Sequence, residues 1–231
     1  MIDVPITHFR PTEIGTSWKK LVELGYSEDM DGNELKSDDQ ILEIFPQDII
    51  LSSNAELHLS STCKFVDDEL TKIYGLDPFF NYESKQDLVG HLGLGLAPHT
   101  SGGVLCRIIG WTDASAGYAH PLFHAAKRRN CDGDEDCVML LLEGLLNFSK
   151  DILPSNRGGQ MDAPLVLTTR LLPNQIDKEA LNVDCSWSYP LEFYQATLSQ
   201  PHSSGVKQFI DIVENRVGTI GDVRGYGLSL I

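Results

Sequence analysis

The sequence predicts a mixed α/β protein, and three observations carry that expectation. Residues 57–74 place Cys63, Val66, Leu70 and Ile73 at helical spacing and stop at Gly75. Residues 41–45 and 48–51 are apolar runs of strand length, separated by Pro46 and Gln47. Residues 164–169, Pro-Leu-Val-Leu-Thr-Thr, form the strongest strand candidate in the chain. At 231 residues and 42% hydrophobic content, the chain can bury an ample core as one large or two small domains.

Taken in order, residues 1–10 read as extended, with Pro5 and His8. Thr12 is expected to cap a helix reaching Leu24, with Ile14, Trp18, Leu21 and Val22 on one face and Gly25 as its stop. The polar stretch 26–39 carries a turn signal at Met30-Asp31-Gly32-Asn33. After the 57–74 helix, the aromatic loop 77–82 is expected against the core. Ser84 and Asp87 resemble a capping box, predicting a helix over Leu88, Val89, Leu92 and Leu96. The glycines Gly93, Gly95, Gly102 and Gly103 around residues 97–101 mark a tight loop that lets backbone approach another chain or a ligand closely. Residues 105–111 read as a buried strand or helix, and 117–121 as a turn. The apolar run 137–148 is expected to be a buried helix whose first turn carries Glu135 and Asp136. Residues 154–161 read as a basic glycine loop, 187–198 as one or two strands, and 206–217 as an amphipathic helix. The glycine-rich tail 218–231 has no helix cap, so the sequence is expected to continue beyond it.

The formal net charge of -15 argues against non-specific nucleic-acid binding over the whole surface. A local basic groove remains compatible with it, because field focusing depends on where charges sit. Five scattered cysteines (Cys63, Cys106, Cys131, Cys137, Cys185) form no Cys-x-x-Cys pair, which favours free thiols over a disulfide framework or a zinc site. No basic start with an apolar run opens the sequence, and no apolar run approaches the roughly 20 residues needed to span a bilayer. The expected location is cytoplasmic, with no membrane partner.

The chemistry concentrates in residues 127–136, Lys-Arg-Arg-Asn-Cys-Asp-Gly-Asp-Glu-Asp. Oxygen-bearing side chains alternate at Asn130, Asp132, Asp134 and Asp136, a spacing that does not fit one helix face. In an extended or looped backbone, alternate side chains point the same way and converge. Carboxylates so close repel unless a cation lies among them or some stay protonated. A hard divalent ion with oxygen ligands meets that demand. The neighbouring cations Lys127, Arg128 and Arg129, with Arg157 further on, suit phosphates. Two other readings stay open. Asp132, Asp134, Asp136 and Glu143 fall on positions 1, 3, 5 and 12 of a calcium-binding EF-hand loop, although position 6 is Cys137 and not glycine. The acids could also be a surface turn capping the next helix, and Glu135 and Asp136 either outer ligands or caps.

Asn-Cys-Asp-Gly-Asp-Glu-Asp resembles the metal-binding signature of the large subunit of the archaeal D-family DNA polymerase. The likeness extends to residues 96–101 (Leu-Ala-Pro-His-Thr-Ser), 117–121 (Gly-Tyr-Ala-His-Pro), 123–129 (Phe-His-Ala-Ala-Lys-Arg-Arg), 157–166, 190–194 and 225–227. This resemblance implies a double-psi β-barrel of the two-barrel polymerase type, with an Asp-x-Asp-x-Asp triad falling on Asn130, Asp132 and Asp134. The asparagine in first place is expected of the family and lowers the site's charge by one. The implied function is Mg2+-dependent nucleotidyl transfer from a dNTP to a primer 3'-hydroxyl on a DNA template. Asn130, Asp132 and Asp134 are then both catalytic and metal-holding. Lys127, Arg128, Arg129 and Arg157 would bind nucleotide or nucleic-acid phosphates. His99, His120 and His124 lie in family-like motifs and are expected as core hydrogen-bonders rather than catalysts.

The family's large subunit is far longer than this chain. It adds a second barrel, whose lysines face the metal site, and cysteine-rich zinc modules. The resemblance therefore implies a piece that is inactive alone and needs two partners, the rest of the large subunit and the small exonuclease subunit. Barrel strands are expected near 41–51, 104–110, 164–169 and 187–198. The expected division is a helical lead at 1–35, the barrel region with inserted helices at 36–200, and a C-terminal helix and tail at 201–231. The rival expectation is a non-catalytic module that binds Ca2+ or serves assembly.

Overall fold

The computed structural model describes residues 1–97, 102–127, 133–141, 166–168, 181–184, 186 and 188–216. Nine strands lie among the described residues: β1 (Ile2–Pro5), β2 (His8–Phe9), β3 (Leu42–Glu43), β4 (Asp48–Ser52), β5 (Leu92–Leu96), β6 (Gly102–Thr112), β7 (Ala116–Ala119), β8 (Cys137–Leu140) and β9 (Val166–Thr168). Seven of them form one mixed sheet in the order β1-β7-β4-β6-β5-β8, with β9 also on β6, while β2 and β3 pair separately. The pairing of β1 with β7 is parallel, as are those of β4 and β9 with β6; β4–β7, β5–β6 and β5–β8 are antiparallel.

The ladder does not end at β8. Glu135, just before that strand, forms an antiparallel bridge with Ile2. Asp3 N donates to Asp134 O (2.8 Å), and Asp136 N donates to Met1 O (2.7 Å). The hydrogen-bonded path from β1 to β8 therefore returns to β1 and closes on itself, which removes two open sheet edges.

The central strands are buried on both faces, which explains their continuous apolar character. Ile49 and Leu51 of β4 join Val104, Cys106 and Ile108 of β6 in one core cluster, with Leu122, Phe123 and Leu140. Ile50 and Ile109 face a second cluster with Phe9, Ile14, Leu21, Tyr26 and Leu42. A register shift between Ile49 and Ile50 marks a bulge where β4 runs beside β6. Between these clusters Arg107 forks onto Asp48 (Nε–Oδ1 2.9 Å, Nη2–Oδ2 2.8 Å) and donates from Nη1 to Leu24 O. The Tyr26 hydroxyl donates to the same carboxylate (2.6 Å). Burial pushes the Asp48 carboxyl up, while the Arg107 fork and Tyr26 hold it back.

Helices cover this sheet. The expected 57–74 helix is present as α2 (Glu56–Glu69), which widens into a π turn at Leu70–Tyr74 and stops at left-handed Gly75. Its Leu59 and Cys63 enter the first core cluster. In the aromatic loop, Phe80 is buried and Phe79 exposed.

Seven expectations need correction, the first two being that residues 117–119, read as a turn, lie in β7, and that Gly93, Gly95, Gly102 and Gly103, read as a loop, lie in β5 and β6. The 12–24 helix is two pieces, a 3-10 turn (Pro11–Ile14) closed by left-handed Gly15, and α1 (Trp18–Glu23) capped by Ser17 rather than Thr12. Ser84 and Asp87 do make a capping box, but it opens only a 3-10 turn (Lys85–Leu88), after which Leu92 and Leu96 lie in β5. The start of the 137–148 run is β8, not a helix; residues 142–148 lie outside the described set. Residues 187–198 contain α4 (Leu191–Thr197) behind Pro190, not strands. The 206–217 stretch breaks into short turns at Lys207–Phe209 and Val213–Arg216, with Ile210 extended between them. Of the expected barrel strands, β4, β6 and β9 join the large sheet, while Leu42–Glu43 belongs to the small one. No helix among the described residues is long and apolar enough to cross a membrane.

Candidate active site

Helix α3 (Pro121–Ala126) leads into the candidate loop. His120 caps this helix, its Nδ1 accepting from Leu122 N (3.1 Å). The helix lies against β5, where a Cβ at Gly95 would sit 2.6 Å from Phe123 Cζ and 3.1 Å from Lys127 Cδ. Glycine is required there by close approach, but the neighbour is the chain's own α3 rather than another chain or a ligand. Phe123 is 1% exposed and packs into the first core cluster.

Lys127 ends that packing as a buried cation. Its ammonium lies 3.0 Å from Asp3 Oδ2, bonds the Asp136 carboxylate, and sits 4.6 Å from the Phe123 ring centroid. His124 completes the group: Nε2 donates to Val4 O (3.2 Å), and Nδ1 lies 3.1 Å from Asp3 Oδ2 without hydrogen-bond geometry. All four side chains are at most 2% exposed. Burial raises the Asp3 carboxyl, but the adjacent His124 ring and Lys127 ammonium hold it below the ordinary carboxylate value. Removing one partner of such a buried pair costs about 3–5 kcal/mol, because the other charge is left uncompensated.

These contacts define the neck of the loop. Lys127 stands at its start, Asp136 at its end, and Asp3 of β1 reaches both ends through its carboxylate and its backbone N–H. Between them, Gly133 takes φ 97°, a left-handed turn that L side chains rarely adopt. Asp134 follows it, half-buried, with its carbonyl held by Asp3 N.

The expected site residues are therefore placed unequally. Asp134 follows the Gly133 turn, bonded through its carbonyl to β1. Asn130, Asp132, Arg128, Arg129 and Arg157 lie outside the described residues, as do His99, Cys131 and Cys185. Lys127, read from its basic neighbours as a phosphate ligand, is inside the protein and engaged by two carboxylates. His124 and His120 are buried hydrogen-bonders, as expected. The EF-hand reading fails, because Asp136 is committed to Lys127 and its positions 6–9 form β8. Asp136 does not cap a helix either. No local pattern pointed to Asp3, which lies 124 residues from Lys127. Among the described residues, no three His, Cys, Asp or Glu side chains form a metal-holding group.

A family model described as DNA polymerase II large subunit DP2, catalytic domain, matches residues 1–230. The chain belongs to the DNA polymerase II large-subunit family. Relatives named DNA polymerase II large subunit include that of Methanocorpusculum labreanum, 56% identical over 99% of this chain. The Pyrococcus furiosus protein is 59% identical over 94% of the chain, and the Archaeoglobus fulgidus protein 57% over 93%. The chain spans only 17–20% of the length of these three large subunits. Membership in a polymerase large-subunit family gives the acidic loop its functional context. The side chains expected at the site, one amide and two carboxylates, carry only oxygen acceptors, the chemistry that a hard divalent ion takes.

Proposed function

We propose that this chain is the metal-bearing barrel of a DNA polymerase active site. The closed ring of β1, β7, β4, β6, β5 and β8 is read as the double-psi barrel, and the loop between α3 and β8 as its catalytic loop. One observation carries the reading most directly. The acidic stretch of a polymerase large-subunit family springs from this ring, with its neck fastened by buried ion pairs.

In this reading Asn130, Asp132 and Asp134 hold Mg2+ and leave open positions for substrate oxygens. When bound, the metal supplies acidification of the primer 3'-hydroxyl and charge stabilisation at the transferring phosphorus. The chain's own groups do the positioning. The left-handed Gly133 turn leads directly into Asp134, whose backbone carbonyl is fixed by the Asp3 N–H. Arg128, Arg129 and Arg157 remain for the phosphates of the dNTP or the template-primer. Lys127 serves the loop from inside.

The rest of the large subunit would supply the second barrel, and the small subunit the exonuclease. This chain alone is accordingly inactive, and its place is the cytoplasm. Primer extension by the reconstituted two-subunit enzyme tests the reading. Asp132→Asn or Asp134→Asn abolishes extension if it holds, and leaves it intact if the acids are only structural.

A further inference from the structure

We propose that Asp3, His124, Lys127 and Asp136 are positioning residues for the metal ligands, and that Lys127 is not a phosphate ligand. The inference rests on the reading of Asn130, Asp132 and Asp134 as the metal site. The four residues come from three separate parts of the fold: β1, the α3 segment, and the lead into β8. Asp3, at 3.0 Å, and Asp136, in direct contact, converge on the buried Lys127 ammonium, and His124 approaches Asp3 at 3.1 Å. Asp3 acts twice. Its carboxylate grips the cation that starts the loop, and its N–H holds the carbonyl of Asp134 on the loop itself (2.8 Å). His124 in turn ties its own helix to β1 through Val4 O.

The physical need is clear from charge. Three acids crowd the loop between residues 132 and 135, and Asp136 and Asp3 add two more at its neck. A buried cation at the neck offsets that repulsion where it would otherwise spread the loop open. Ligands held this way enter with their geometry set, and loss of such supporting contacts typically weakens metal binding about 10–100-fold. A solvent-facing lysine would be the form expected of a phosphate ligand, whereas the Lys127 side chain is 0% exposed.

The test uses the full-length large subunit assembled with its small subunit. Mn2+ binding is followed by electron paramagnetic resonance, and primer extension is titrated with Mg2+ and with dNTP. Asp3→Asn, which keeps size and shape, and Lys127→Met are expected to weaken Mn2+ binding and raise the Mg2+ half-saturation about 10–100-fold. The dNTP KM at saturating Mg2+ stays within about threefold of wild type, and Lys127→Arg recovers most of the Mn2+ affinity. A raised dNTP KM with unchanged Mn2+ binding would make Lys127 a phosphate ligand and overturn the proposal. Loss of folding in both Asp3→Asn and Lys127→Met would reduce the group to a structural role and overturn it as well. If Lys127→Met alone unfolds, Asp3→Asn decides: weakened Mn2+ binding supports the proposal and unchanged binding overturns it. Asp134→Asn, run alongside, separates the two levels. Unchanged Mn2+ binding and extension there defeat the metal-site reading itself, whereas an effect there without one in Asp3→Asn defeats only the positioning role.

Discussion

Gly95→Ala offers a sharp test of how α3 seats the candidate loop. The added Cβ would lie 2.6 Å from Phe123 Cζ, 3.0 Å from Phe123 Cε1 and 3.1 Å from Lys127 Cδ. Carbon pairs prefer about 3.5–4.0 Å, so the ring must retreat by roughly an ångström. It has nowhere to go, because Phe123 is packed among Cys106, Leu122 and Leu140 in a buried cluster. Overpacking of this kind costs about 1–3 kcal/mol. Displacement of Lys127 from Asp3 and Asp136 pushes the value toward the upper end. For a chain of this size, each kcal/mol lowers Tm by about 2–4 °C, so a fall of about 4–12 °C is expected. Thermal and guanidinium unfolding measure it, with Gly102→Ala as the control, since nothing lies within 4 Å of a Cβ there. Adding Phe123→Leu to Gly95→Ala should recover part of the loss that either change predicts by addition. A Gly95→Ala protein as stable as the Gly102→Ala control would refute the close packing of α3 on β5.

Three further outcomes follow from the same geometry. Arg107→Met strands the buried Asp48 carboxylate and destabilises by about 3–5 kcal/mol at pH 8. Its deficit shrinks as pH falls, because the raised Asp48 carboxyl can then protonate in the folded state, so unfolding free energies at pH 5 and pH 8 check both size and sign. Asp29, hydrogen-bonded by the Gln40 amide, and Asp87, holding Ser84 N and Glu83 N, are both depressed below the ordinary carboxylate value. Their support is present above about pH 4 and is lost as pH falls below it, so Asp87→Asn should flatten the acid limb of a stability-pH curve. Burial pushes the thiols of Cys106 up to about 12 and Cys63 up to about 11, whereas Cys137 is exposed. Iodoacetamide at pH 8, read by peptide mass mapping, should modify Cys137 before either of the other two in the folded protein.

How far the structure was legible depended on whether the signal was local. Helix α2 announced itself through Cys63 and Val66 at helical spacing and Gly75 at its end, and β4 through a short apolar run between polar neighbours. The Leu-Gly-Leu-Gly-Leu of β5 was ambiguous, because Leu88, Leu92 and Leu96 also fit a helix. Alternating glycines, poor helix formers that let α3 approach, should have tipped that reading toward a strand. An almost unbroken apolar run such as 137–142 carries no periodicity, so nothing local distinguished β8 from a helix. Tyr194 and Phe193 suggested a strand by their propensity, yet Pro190 opens a helix there. At the site, the alternating oxygens from Asn130 to Asp136 were visible, but the partition among them was not. Asp136 belongs to the buried neck because β1 brings Asp3 and, through α3, Lys127 beside it, and no pattern near residue 136 encodes that meeting.

The most direct measurement is single-nucleotide primer extension by the reconstituted enzyme carrying Asp134→Asn, with template-primer binding followed in parallel. Metal-held charge stabilisation worth several kcal/mol implies a fall in rate of about a thousandfold, with DNA affinity little changed. Extension within about threefold of wild type would contradict the assignment of this loop as the place where the metal is held.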